Sequence, residues 1–109
     1  MKLNIYDKKA VKKTYEVDTY ELMWGVVEDV ADAIKIDEMR SGSNEEVMKL
    51  AVNLVITAKD TVNDLMKDIF EGLTDDELRH TRVSEIAKVL VDVVMFTIGQ
   101  LNKGNSSKN

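Results

Sequence analysis

Few side chains in this sequence combine the type and the spacing that chemistry requires. His80 is the single histidine. A lone imidazole can serve as a base or a metal ligand, but this one falls at the expected C-terminus of a helix, where the dipole favours a cation. Asp75, Asp76 and Glu77 bring three carboxylates together. They lie in the first turn of an expected helix, which prefers acids there, and no second ligand run with calcium-loop spacing accompanies them. With zero cysteines, disulfides, thiolate metal sites and thiol nucleophiles are excluded from this chain. No Gly-rich phosphate loop, serine elbow or zinc-type histidine pair occurs. Asn105-Ser106-Ser107 matches a glycosylation acceptor by chance, in a chain without a secretory h-region at its start. The expectation is a non-catalytic protein with no cofactor and no metal.

Lys8, Lys9, Lys12 and Lys13 form the one basic patch. No arginine and only Tyr6 and Tyr15 accompany them, and lysine is the usual residue for blunting an exposed strand edge. The whole chain carries 20 acidic against 15 basic residues, a formal charge of −5, which argues against a protein that neutralises phosphates. A solvated edge is the first reading; an acidic protein partner and nucleic acid follow in that order.

The elements that position these groups are legible from periodicity. Leu3 and Ile5, then Val11, Tyr15 and Val17, alternate with polar residues as two short strands over about 2–17, joined by Asp7-Lys8-Lys9-Ala10. Asp18 with Glu21 has the form of a capping box, so a helix is expected from Thr19 to near Lys35, with Gly25 at a close helix contact. Ser43 with Glu46 opens a second helix, whose stripe runs from Val47 to Ile69 and which ends at Glu71 before Gly72. Unbroken, it would be about 42 Å long. Thr74 with Glu77 opens a short helix ending near His80, and a last helix spans Arg82 to Leu101. Absence of proline suits such helices. The fold class is therefore mainly α, an N-terminal β-hairpin packed on a small bundle of three long helices and one short helix. One domain covers 1–101, and the polar residues 102–109 are expected to be disordered. No apolar run reaches the roughly 18 residues of a membrane span.

Apolar excess is the informative anomaly. The last helix is apolar nearly all round, and the long helix carries a second ridge at Val52 and Ile56. Such helices are central to the fold or shared with a partner. Unpaired strand edges and apolar faces both call for cover, so self-association through the hairpin edge or the last helix is expected. An apolar groove of the long and last helices would use the off-stripe residues Val52, Ile56, Val89, Val93 and Phe96, with Phe96 the strongest anchor. The same residues could instead complete the core or a self-contact.

Three segments carry a resemblance: Lys2-Leu3-Asn4-Ile5-Tyr6, the stretch from Lys13 to Met23 (KTYEVDTYELM), and the stretch from Lys67 to Leu78 (KDIFEGLTDDEL). The chain resembles, over residues 1–103, the tail assembly chaperones of long-tailed phages and prophages of Gram-positive bacteria. That resemblance implies a non-catalytic protein of the bacterial host's cytoplasm that binds the helical tape-measure protein and helps tail-tube protein polymerise around it. It also implies absence from the finished virion, and a longer frameshifted form that contacts the tube protein. Two other classes remain open on the residues alone: a homo-oligomeric helical adaptor or regulator, and a nucleic-acid-binding regulator that uses the lysine hairpin.

Overall fold

The structure is a computed structural model that describes residues 1–33 and 43–106. It is mainly α-helical, with an N-terminal antiparallel hairpin of β1 (Lys2–Asp7) and β2 (Ala10–Glu16). Five α-helices follow among the described residues: α1 (Trp24–Ala33), α2 (Asn44–Thr57), α3 (Lys59–Ile69), α4 (Asp75–Leu78) and α5 (Val83–Ser106). The expected end of the first helix near Lys35 and the polar stretch around Arg40-Ser41-Gly42 lie outside the described residues. No helix among them is long and apolar enough to cross a membrane.

A two-residue turn, Lys8-Lys9, closes the hairpin, with Lys8 in the left-handed region at φ 59°. Leu3 pairs with Tyr15 and Ile5 with Lys13, but Tyr6 pairs with Val11, so Lys12 is the extra residue of a bulge. The bulge resets the alternation. Leu3 and Ile5 point into the core, whereas Val11 stays 52% exposed and off the row of Tyr15 that its spacing suggests. The outer edge of β1 is closed by the far end of the chain. Tyr6 N–H donates to the His80 carbonyl at 2.8 Å, and Asn4 N–H donates to the Glu85 carboxylate at 3.2 Å.

Three helix starts depart from or follow their caps in instructive ways. At Asp18 the N–H donates to the Glu21 carboxylate at 3.0 Å, yet only a single 3-10 turn forms (Thr19–Glu21), because Leu22 is extended. Helix α1 therefore begins at Trp24, five residues later than the capping box implies. Gly25 is then exposed in the first turn of α1, with no atom of another element within 4 Å of an added Cβ, so the expected close contact there is not made. At α2, the Ser43 hydroxyl accepts the Glu46 N–H at 3.2 Å. At α4 the box is reciprocal: Thr74 Oγ1 accepts Glu77 N–H, and Thr74 N–H donates to the Glu77 carboxylate, both at 3.1 Å.

The expected long helix is two helices. Ala58, at φ −123° and ψ 44°, is not helical, and it separates α2 from α3. Val55, Ile56 and Thr57 before it are β-branched, and the Thr57 hydroxyl bonds back to the Asn53 carbonyl at 2.8 Å. These features do not by themselves account for the break, since Thr97 makes the same bond to the Val93 carbonyl inside α5, which runs on unbroken. Helix α3 ends at Ile69, and a turn from Phe70 to Leu73 follows, closed by a 3.1 Å backbone bond. Gly72 supplies its positive φ of 88°. At the other extreme, α5 continues past Leu101 to Ser106, into the segment expected to be disordered. No proline stops it, and each added residue contributes one more intrahelical bond.

One buried cluster takes residues from Leu3 to Ile98. Helix α5 runs through its middle, touched by α1, α2 and β1. Phe70, fully buried, meets Tyr15 at a tilted ring contact of 6.2 Å between centroids and so seats the hairpin on the helices.

Candidate functional site

An open groove of about 290 Å³ lies between α1 and α3, beside the junction of α2 with α3. Its floor is apolar: Val30, Val62, Leu65 and Leu90 are core residues whose outer surfaces reach it, and Leu54 is half-buried at one end. Its rim is acidic. Asp29 and Asp32, three apart, line it from α1; Asp64 and Asp68, four apart, line it from α3. Those spacings place each pair on one face of its helix. All four carboxylates are on exposed residues, and no lysine or arginine among the described residues lines the groove. The Lys67 ammonium is the cation bonded to a rim carboxylate, at 3.7 Å from Asp64, but it sits closer to Asp75, at 3.0 Å. The Asp75 hydrogen bond, before any other contact, holds the Lys67 pKa above its ordinary value. Chemically the groove can take apolar side chains at its floor and positive charge along both lips.

The hairpin is tied to the helices by polar contacts. Tyr15 donates its hydroxyl proton to Glu77 at 2.7 Å and accepts from the Lys13 ammonium at 2.8 Å. The Tyr15 hydrogen bond is the main reason the Glu77 carboxyl titrates below the usual carboxylate range, with the Thr74 N–H and Lys13 adding to it. Lys13 also pairs with Glu77 at 3.4 Å. Tyr6 donates to Glu85, which raises the Tyr6 pKa, and the Arg82 guanidinium stacks 4.4 Å from the Tyr6 ring centre. Asp75, Asp76 and Glu77 form the first turn of α4, with Asp75 and Glu77 engaged as above. His80 Nδ1 lies 2.8 Å from the Asp76 carbonyl just beyond that helix. The described residues contain no group of three or more side chains placed to hold a metal ion.

The five residues expected to line a partner groove do not lie together on one surface. Val89 and Val93 are 1% and 0% exposed and belong to the core. This corrects their assignment: α5 is apolar all round because it is covered from several sides, the central-helix alternative. Val52 is half-buried against the same core. Phe96 is half-buried on α5, and Ile56 stands 67% exposed at the end of α2. The groove that does exist uses the other face of the long helical region, through Leu54, Ala58, Val62 and Leu65.

Two surfaces were not anticipated. One is the acidic groove, whose rim residues are too far apart in sequence to suggest each other. The other is a corner where Tyr20, Met23 and Trp24 are 79%, 73% and 66% exposed. The delayed start of α1 leaves Tyr20 and Met23 before the helix and Trp24 at its first residue. A usable signal was present, since the single tryptophan follows a capping box within one turn. No protein-family model, curated protein or solved structure matches the chain.

Proposed function

We propose that the chain is a tail assembly chaperone of a long-tailed phage or prophage, a non-catalytic protein that shields the tape-measure protein while the tail tube grows around it. The observation that carries this reading is large apolar side chains held in water on an acidic body. Tyr20, Met23, Trp24, Ile56 and Met95 are all more than half exposed, in a chain of formal charge −5. Exposed apolar surface marks a partner site, and the net charge keeps such a surface soluble between encounters. The sequence resemblance over residues 1–103 supplies the identity of the partner. Under this reading the protein works in the host cytoplasm, leaves before the virion is complete, and reaches the tail-tube protein through a longer frameshifted form. Self-association is part of it: the outer edge of β2 has no strand beside it among the described residues.

The test is co-expression with tape-measure protein. Ile56→Asp, Phe96→Asp and Trp24→Asp are expected to reduce the soluble yield of the partner while leaving the thermal melt of the chaperone unchanged. Unaltered partner solubility in all three variants would place the working surface elsewhere, and a melt lowered by several degrees would assign that residue to the core. A partner that remains equally insoluble with the wild-type chain would sink the proposal.

A further inference from the structure

The charge and shape of the α1–α3 groove define an occupant more narrowly than apolar surface alone. We infer that the groove receives a row of apolar side chains from an amphipathic helix whose flanks carry lysine or arginine. Its walls from Ala58 to Asp68 extend along about 15 Å of helix, close to three turns. A volume of about 290 Å³ is too small for a backbone and its side chains, so the partner's main chain lies above the lips and its anchors descend. Anchors at i, i+4 and i+7 match a wall of that length, as in other helix-in-groove contacts. The flanks are set by the rim. Asp29 and Asp32 line one lip and Asp64 and Asp68 the other, and among the described residues no basic side chain lines either. An acidic flank would meet like charge on both sides, whereas a basic flank meets two carboxylates on each. Specificity thus comes as much from repulsion of acidic helices as from attraction of basic ones. The rim aspartates are on exposed residues, so the pairing works by steering and is weakened by salt. None of this depends on whether the helix belongs to a phage tail, which the co-expression experiment addresses separately.

The test is a titration of the full chain with a fluorescein-labelled helical peptide carrying leucines at i, i+4 and i+7 and lysines on both flanks. A second peptide has glutamates in place of the lysines. The lysine peptide is expected to bind, and to weaken by about tenfold or more between roughly 0.05 and 0.5 M salt. Asp29→Asn with Asp32→Asn, and Asp64→Asn with Asp68→Asn, should each weaken it by about tenfold, a loss of about 1.4 kcal/mol, with an unchanged thermal melt. Thr61→Trp, a substitution on an exposed groove residue, should abolish binding by filling the floor. Equal affinity for the glutamate peptide, indifference to the aspartate changes, or no binding of the lysine peptide would each overturn the inference. So would self-association, seen by light scattering, that the aspartate changes abolish, because the groove would then hold the lysine hairpin of a second copy.

Discussion

The hairpin end and the α1–α3 side of this protein handle charge in opposite ways. Around the hairpin, two carboxylates are held by several donors each. Glu85 accepts from Asn4 and Tyr6, and Glu77 accepts from Tyr15, Thr74 and Lys13. Along the α1–α3 groove, four aspartates surround an apolar floor, and among the described residues Asp64 alone of the four has a lysine within 4 Å. Like charges set around a trough do not help the chain to fold. Carboxylates bonded into the structure at one place and gathered around an apolar trough at another divide the surface between holding together and meeting something else.

The sharpest way to break this contrast is to damage the hairpin end. Phe70→Ala removes the fully buried ring between the helices and Tyr15 and should cost about 3–5 kcal/mol in urea unfolding. A loss below about 1 kcal/mol would mean that the hairpin is not a structural unit. Next in size, Glu85→Ala strips the outer edge of β1 of one of its two acceptors and should cost about 2 kcal/mol by the same measurement.

A smaller effect comes from pH. The Glu77 carboxyl titrates below its ordinary value when folded, so the stability it contributes is present above the unfolded-state pKa, near 4.3, and disappears as pH falls through the folded value. Melts of wild type and Glu77→Gln should therefore differ at neutral pH and converge in acid. A difference that persists at low pH would assign the contribution to packing. Smallest of all, Asp29→Asn and Asp68→Asn should change stability by no more than about 0.5 kcal/mol, with a slight gain the favoured direction because like charge is relieved. A large loss from either would show that the rim belongs to the folding half after all.

Local signals were readable in the sequence, and long-range pairing was not. The caps at Ser43 and Thr74 lie within four residues of the groups they satisfy, so spacing alone finds them. Alternation likewise finds Leu3 and Ile5. Two misses arose inside single expected elements: a bulge at Lys12 turned Val11 away, and the non-helical Ala58 interrupted a stripe that periodicity carries straight through. The groove was illegible for another reason. Asp29 and Asp68 become neighbours of one trough only after α1 and α3 pack, and exposed aspartates on a helix ordinarily signify nothing but solvent. Val89 and Val93 were misplaced because periodicity counts apolar faces and does not say how many of them a fold will cover.

The interruption at Ala58 also bears on how this protein can vary. In a continuous helix one inserted residue turns everything beyond it by about 100°, which would carry Val62, Leu65 and Met66 off the core. Where two helices meet at a non-helical residue, the joint absorbs the extra length and the phase of each stripe is kept. The same insertion at Ala51 or Leu65 has no such joint to absorb it. Since Ala58 borders the groove, lengthening or shortening the chain there resizes the mouth of the trough while the buried rows on either side stay in register. Evolution has at this point a place to refit the protein to a new partner without first having to refold it.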